Sequence, residues 1–321
     1  MSLKDIKNTN KQKQVQEQKK ITLPVLKAAA AFTANIPDPD YVLPAFMRGD
    51  VGILSAAGGT GKSFWMLQAS FQVAACGYCD YDLSGATVKH KNPKVGSVLY
   101  VSLEDNQYQV MRRLKSIRTH WKSDDESNAW LDDLGEDFFH ILPLVGTGAV
   151  LIDAEHQATA YFNAIIDYAK SMNDCRLIVI DTLRRSHDCD ENNNGSMSAV
   201  LRQFEAMANK SNSAVLLIHH EGKGSLNDSE AGTAASRGAS AITDNARWHM
   251  RLQRMTKHDA ERRGIQSDDL RRKWIRVSNE KANYGEEMAE AWLLRGEAGV
   301  LSSGLPPEPV KNGSKGGRNN G

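Results

Sequence analysis

The chain has 321 residues, 40 Lys plus Arg against 39 Asp plus Glu, a net charge of +1 and 40% hydrophobic residues, a soluble globular composition that excludes collagen-like, coiled-coil and wholly disordered chains. No run approaches the roughly 18 apolar residues of a membrane helix, and the first 20 residues are too polar for a secretion leader, so no membrane partner and a cytoplasmic location are expected. Four cysteines are too few for a disulfide scaffold and suit a reducing compartment.

In chain order, residues 1–38 begin with six Lys against Asp5 and Glu17 in the first 20 positions and predict a basic disordered tail. Residues 39–302 are expected to form one folded domain of net negative charge, and 303–321, rich in Pro, Gly and Asn, a second flexible tail. Within the body, apolar strand-like runs fall at 51–56, 97–102, 138–144, 176–181 and 214–220. Helical spacing of apolar residues falls between them at 63–75, 107–119, 158–172 and 196–210. That alternation predicts an α/β fold, a mostly parallel sheet with helices on both faces. Beyond residue 240, RWHMRLQR, KWIRVSN and EAWLLR read as antiparallel strands at one edge of the same sheet.

The first strand runs into AAGGTGKS and then an apolar helix, which is a phosphate loop in its strand–loop–helix context. Gly58, Gly59 and Gly61 would let backbone N–H groups turn toward phosphate oxygens, helped by the dipole of the next helix. Lys62 would neutralise the β- and γ-phosphates and the Ser63 hydroxyl would hold Mg²⁺. The candidate nucleotide contacts are therefore Ala57, Gly58, Gly59, Thr60, Gly61, Lys62, Ser63 and Phe64. Asp181 ends an apolar strand and suits the Mg²⁺ water shell. Glu104 follows the 97–102 strand and, were that strand beside the loop, could polarise an attacking water; a helix N-terminal acid fits Asp105 better. His219 and His220 point to opposite faces of their strand, so they do not share one metal ion, and one of them suits γ-phosphate sensing. Cys76 and Cys79 lack a second ligand pair and read as structural.

This order of motifs resembles the RecA-like ATPases, and among them the hexameric DnaB-like replicative helicases. DTLRR (181–185), IHH (218–220), ASRGAS (235–240), TDNARW (243–248), KANYG (281–285) and YVLP (41–44) are similar to the RepA-type helicases of IncQ-like plasmids. The resemblance covers about 41–301 and implies a RecA-like core, a homohexameric ring with ATP between subunits, and 5′ to 3′ movement on single-stranded DNA. It leaves open a replication initiator and a primase as further partners. It assigns Lys62 and Ser63 to phosphate and Mg²⁺, Glu104 to the water, Asp181 to Mg²⁺ and His220 to sensing. The family's K-x-R motif keeps Lys281 and lacks its Arg, so Arg247 becomes the first candidate for a charge supplied by the neighbouring subunit and Arg237 the second. The loops near 184–197 and 221–236 are long and polar, and by similarity face the channel, with Arg184, Arg185 and Lys223 as candidate DNA contacts. A competing reading is a RecA-like ring ATPase that acts as regulator or loader without unwinding. A small-molecule kinase would need an acceptor site and a lid, and neither is evident.

Overall fold

Strands that are apolar on both faces need cover on both faces, and five of the strands in this computed structural model are buried over all or nearly all of their length. The structure describes residues 23–75, 94–121, 133, 135–221, 240–284 and 290–310, and the chain divides into units 1–39 and 40–321. In the first unit one helical turn, α1 (Ala28–Ala31), lies among the exposed side chains of Leu23, Leu26, Phe32 and Ile36.

The second unit begins with a hairpin, β1 (Tyr41–Leu43) and β2 (Phe46–Met47). There follow β3 (Val51–Ala56), α2 (Lys62–Ala74), β4 (Ser97–Ser102), α3 (Gln107–His120), β5 (Phe139–Pro143), α4 (Ala160–Ser171), β6 (Cys175–Asp181), α5 (Asn194–Ser211) and β7 (Ala214–His220). The last part comprises α6 (Ser240–Asn245), β8 (Trp248–Arg254), α7 (Lys257–Arg262), α8 (Asp268–Lys273), β9 (Trp274–Ala282), β10 (Ala291–Arg295) and β11 (Leu301–Ser303). Among the described residues the main sheet has nine strands in the order β11-β10-β9-β8-β3-β7-β6-β4-β5. Alternate residues of each strand feed opposite cores. Leu54, Leu216 and Ile218 pack with Trp65, Met66 and Val73 of α2, whereas Ile53, Val215 and Leu217 pack with Phe162 of α4 and Met197, Leu201 and Phe204 of α5. No helix among the described residues is long and apolar enough to cross a membrane.

The edge differs from the expectation in one respect. The antiparallel pattern starts at β9, because β8 pairs parallel to β3, from Gly52 opposite Trp248 to Ala56 opposite Leu252. The connection from β7 to β8 is long enough for a crossover, which a parallel neighbour requires. Gly52 is needed at this contact: a Cβ there would come within 2.9 Å of the Phe46 ring, which stacks on Trp248 at 4.9 Å between centroids. The Trp248 indole N–H donates to the Pro44 carbonyl at 2.9 Å, so the YVLP and TDNARW motifs meet in one contact.

Polar groups are buried beneath the site as well. The Ser55 hydroxyl donates to Glu221 at 2.7 Å and accepts from His249 Nε2 at 2.8 Å, and Glu221 pairs with Arg251 at 2.9 Å. Burial holds His187, His219 and His249 each at about 4, below the usual 6.5. The unfolded chain then binds more protons than the folded one between about pH 4 and 6.5, so their contribution to stability is complete above 6.5 and is lost as pH falls toward 4. His249→Gln keeps an N–H donor for Ser55 and removes one such proton. Its melting temperature should depend less on pH between 4 and 6.5 than that of the wild type, a comparison that thermal melts at several pH values would make; parallel curves would exclude His249 from the linkage.

Candidate active site

Four neighbouring strands, β3, β7, β6 and β4, are parallel and end on the same side of the sheet, the side where ligands of open α/β sheets sit. Their ends carry the loop 57–61, His220, Asp181 and Glu104. The loop leads into α2, whose N-cap Gly61 has φ 112° and offers no side-chain cap, which leaves the first-turn N–H groups free for an anion. Positive φ is confined to Gly59 (69°) and Gly61 within the loop, so Gly58 needs no left-handed backbone.

Lys62 is 5% exposed and donates to the Ala56 and Ala57 carbonyls at 2.6 and 3.2 Å. Burial lowers its pKa to about 8, against the raising influence of Asp181, Glu221 and Glu104. Asp181 is buried, and that burial pushes its carboxyl up; Tyr100 and Ser63 hydrogen-bond to it and pull it down, while Asp105 and Glu104 push it up again. The Tyr100 hydroxyl donates to Asp181 Oδ2. Ser63 and Asp181, on separate elements, thus meet.

Glu104 Oε2 stands 3.2 Å from His220 Nε2, both side chains about half exposed. The condition that β4 adjoin the loop strand is not met: β7 and β6 lie between β3 and β4, and Glu104 stands at the end of β4. Neither acid caps α3, either. Asn106 does so, accepting from the Tyr108 and Gln109 amides at 3.0 and 3.1 Å, and Asp105 pairs with Arg113. His219 is buried. A cavity of about 320 Å³ lies over the loop, lined by Lys62, Ser63, Glu104 and His220 together with Phe64, Arg113 and Arg295. Thr60 and Ala57 are buried in the loop and line its inner turn.

Arg184 and Arg185 form one exposed 3-10 turn, Leu183–Arg185, directly after Asp181, and border a second cavity of about 290 Å³ with Glu104, His220 and Glu191. Arg184 Nε is 3.8 Å from Glu191. Arg247 and Lys281 stand elsewhere. The Arg247 amide bonds to the Val51 carbonyl, at the start of β3, whereas the loop leaves its far end. At about 3.3 Å per strand residue that is on the order of 17 Å away. The exposed Arg247 guanidinium donates to the Tyr284 hydroxyl at 2.9 Å, and Lys281 caps the end of α6 through the Thr243 and Asp244 carbonyls. Lys223, Arg237, Cys76 and Cys79 lie outside the described residues.

Sequence reasoning missed Tyr100, Arg113, Arg254 and Arg295. Asn106 had a readable signal, an Asn just before an apolar-periodic helix. The other four act from three strands and a helix that no local pattern brings together.

A family profile described as an AAA domain matches residues 18–225. Among solved structures, one described as an ATPase domain superposes with a TM-score of 0.52 at 15% identity, over 77% of this chain and 81% of that one. The likeness shows the fold: a RecA-like phosphate-loop core with antiparallel strands added at one edge.

Proposed function

The chain belongs to the AAA domain family, and from that premise we propose that it is an ATP-hydrolysing DNA helicase, a ring of six copies that moves 5′ to 3′ along single-stranded DNA for a plasmid or an integrated mobile element. One observation carries the ring: Lys62, Ser63, Asp181, Glu104 and His220 gather at one end of the sheet, while Arg247 and Lys281 sit at the other. A single chain therefore has the phosphate-binding half of a site and, far from it, an exposed cation suited to complete a neighbour's. The motifs that resemble replicative helicases support the DNA substrate, as do Arg184 and Arg185 beside the site.

The residues fit Mg²⁺. Asp181, with Ser63 bonded to it and Glu104 nearby, gathers oxygen donors and negative charge that Lys62 alone does not balance, the neighbouring Asp105 being paired with Arg113. Mg²⁺ bound there would neutralise charge on the β- and γ-phosphates. The free N–H groups at the start of α2 and the Lys62 ammonium hold the phosphates. Glu104 accepts a proton from the attacking water, and His220, bonded to Glu104, links that carboxylate to the β7 end and the loop after it.

Steady-state ATP hydrolysis with and without single-stranded DNA, at two salt concentrations, tests the proposal together with particle mass. Stimulation that fades with salt, on a particle near six times 35.4 kDa, is expected; a monomer under every nucleotide condition would sink the intersubunit site. The Arg184–Glu191 approach favours the second reading, a ring regulator with weak DNA contact. Hydrolysis indifferent to DNA on a hexamer would select it.

The roles of Glu104 and Lys62 can be separated. Glu104→Gln keeps the bond to His220 and loses the base, so ADP affinity should persist while turnover drops by about 10² to 10⁴; normal turnover would remove Glu104 from the mechanism. Lys62 is half-neutral near pH 8 when free, and phosphate binding favours its charged form. ADP binding above pH 8 must therefore take up a proton, and affinity should fall about tenfold per unit from there. Calorimetry at pH 7, 8 and 9 in buffers of different ionisation enthalpy would show it, and a flat profile would contradict the lowered lysine.

A further inference from the structure

Two arginines from different strands converge on the outer side of the phosphate loop. β8 continues two residues past its last pairing with β3, which sets Arg254 alongside the loop, and its Nη2 donates to the Gly59 carbonyl at 2.6 Å. Arg295, the last residue of β10, donates to the same carbonyl at 3.0 Å and to the Thr60 carbonyl. Among the described residues neither guanidinium meets a carboxylate, and the Nε of each is buried without a partner. Two cations side by side with no counter-charge repel, and burial together with Arg254 lowers the pKa of Arg295. Such an arrangement is unfavourable for stability alone.

A peptide unit is planar with its C=O and N–H on opposite edges. A donor on the Gly59 carbonyl therefore fixes the turn in which the Thr60 N–H donates to the Ala57 carbonyl at 3.3 Å, and one on the Thr60 carbonyl orients the Gly61 N–H. The glycines also make room. A Cβ on Gly59 would lie 2.9 Å from Arg254 Nη2, and one on Gly61 2.7 Å from Arg295 Nη2.

We propose that Arg254 and Arg295 are positioning residues that set the phosphate loop for polyphosphate, by holding the Gly59 and Thr60 carbonyls so that the loop keeps its turn and the Gly61 amide faces the ligand, and by supplying charge beside it. This rests on the nucleotide reading of the site. Its effect belongs to the phosphates rather than to the nucleoside.

The experiment measures magnesium pyrophosphate and magnesium ADP binding by calorimetry, and KM and kcat for ATP, on the full chain and on Arg254→Ala, Arg295→Ala, Arg254→Lys and Arg295→Lys. Each alanine variant should weaken pyrophosphate and ADP by the same factor, about tenfold or more, with KM for ATP rising and kcat little changed. Arg295→Lys should recover only part of the loss, because both bonds come from the terminal Nη2, and a lysine ammonium, one bond shorter, falls short of the two carbonyls. Unchanged pyrophosphate affinity would overturn the proposal, and so would a loss confined to ADP, which would put the arginines on the nucleoside. Full recovery by lysine would leave charge alone and overturn the carbonyl geometry. If an alanine variant melts early, the lysine variants carry the comparison. Wild-type protein that binds neither ligand would instead defeat the nucleotide reading underneath.

Discussion

Lys62→Ala is expected to abolish ATP turnover, by about 10³-fold or more, while raising the melting temperature. The first half follows from position. Lys62 is the first residue of α2, beside Ser63 and under the same cavity as Glu104, and Asp181 is the carboxylate that acts on it most strongly. Charge that grows on the phosphates in the transition state would lose its fixed counter-charge inside the protein, where such a term is large. The second half follows from burial. A lysine whose pKa falls from 10.5 to about 8 on folding is held in its charged form at a cost, on the order of 1–3 kcal/mol at neutral pH. Its two bonds to the Ala56 and Ala57 carbonyls offset only part of that. A site that strains the fold in the service of chemistry gains stability when the chemistry is removed. Thermal melts and steady-state hydrolysis on the same preparation test both halves. A variant that loses stability along with activity would mean that Lys62 braces the loop rather than being held there against its charge.

How far these properties were legible in the chain depends on whether the physics was local. The strands and helices of the parallel core could be read because burial on two faces forces continuous apolar runs, and the helices between them repeat at three and four residues. Val51–Ala56 and Cys175–Asp181 are such runs, and the loop between Ala56 and Lys62 is written in adjacent residues. What escaped was pairing at a distance. Trp248–Arg254 alternates like an antiparallel strand and pairs so with β9, yet its other partner is β3 and that pairing is parallel, a property of the connection rather than of the strand. Tyr100 looks like one more apolar residue of β4 until β6 brings Asp181 beside it. Arg254 and Arg295 lie far apart in the chain and become a pair only because β8 and β10 both end near Gly59. The reach of Glu104 depended in the same way on strand order, which the sequence left open and which interposes two strands.

Arg247→Ala is expected to lose about 10³- to 10⁵-fold in turnover, the range of a charge delivered to a transferring phosphoryl group, although Arg247 lies on the order of 17 Å from the loop of its own chain. The separation is what makes the outcome informative. Val51 and Ala56 are the two ends of one rigid, fully buried strand, so no side-chain rotation brings Arg247 to the loop of the same subunit. The guanidinium is exposed, donates to Tyr284 and lies over its ring at 5.9 Å, which holds it outward. Lys281 stands on the neighbouring strand, opposite His249, next to it. In the proposed ring each interface would join the loop of one subunit to this patch of the next, a heterologous contact. Inactive Arg247→Ala protein mixed with inactive Lys62→Ala protein would then rebuild working interfaces, each with the intact Lys62 of the first and the intact Arg247 of the second. Random mixing in equal parts makes about a quarter of the interfaces complete, so hydrolysis should return to a corresponding fraction, and a doubly substituted protein should rescue neither parent. Mixed rings demonstrated by native mass spectrometry but without recovered hydrolysis would show that Arg247 does not act across the interface, and would leave Tyr284 and Arg247 as a surface pair of structural use only.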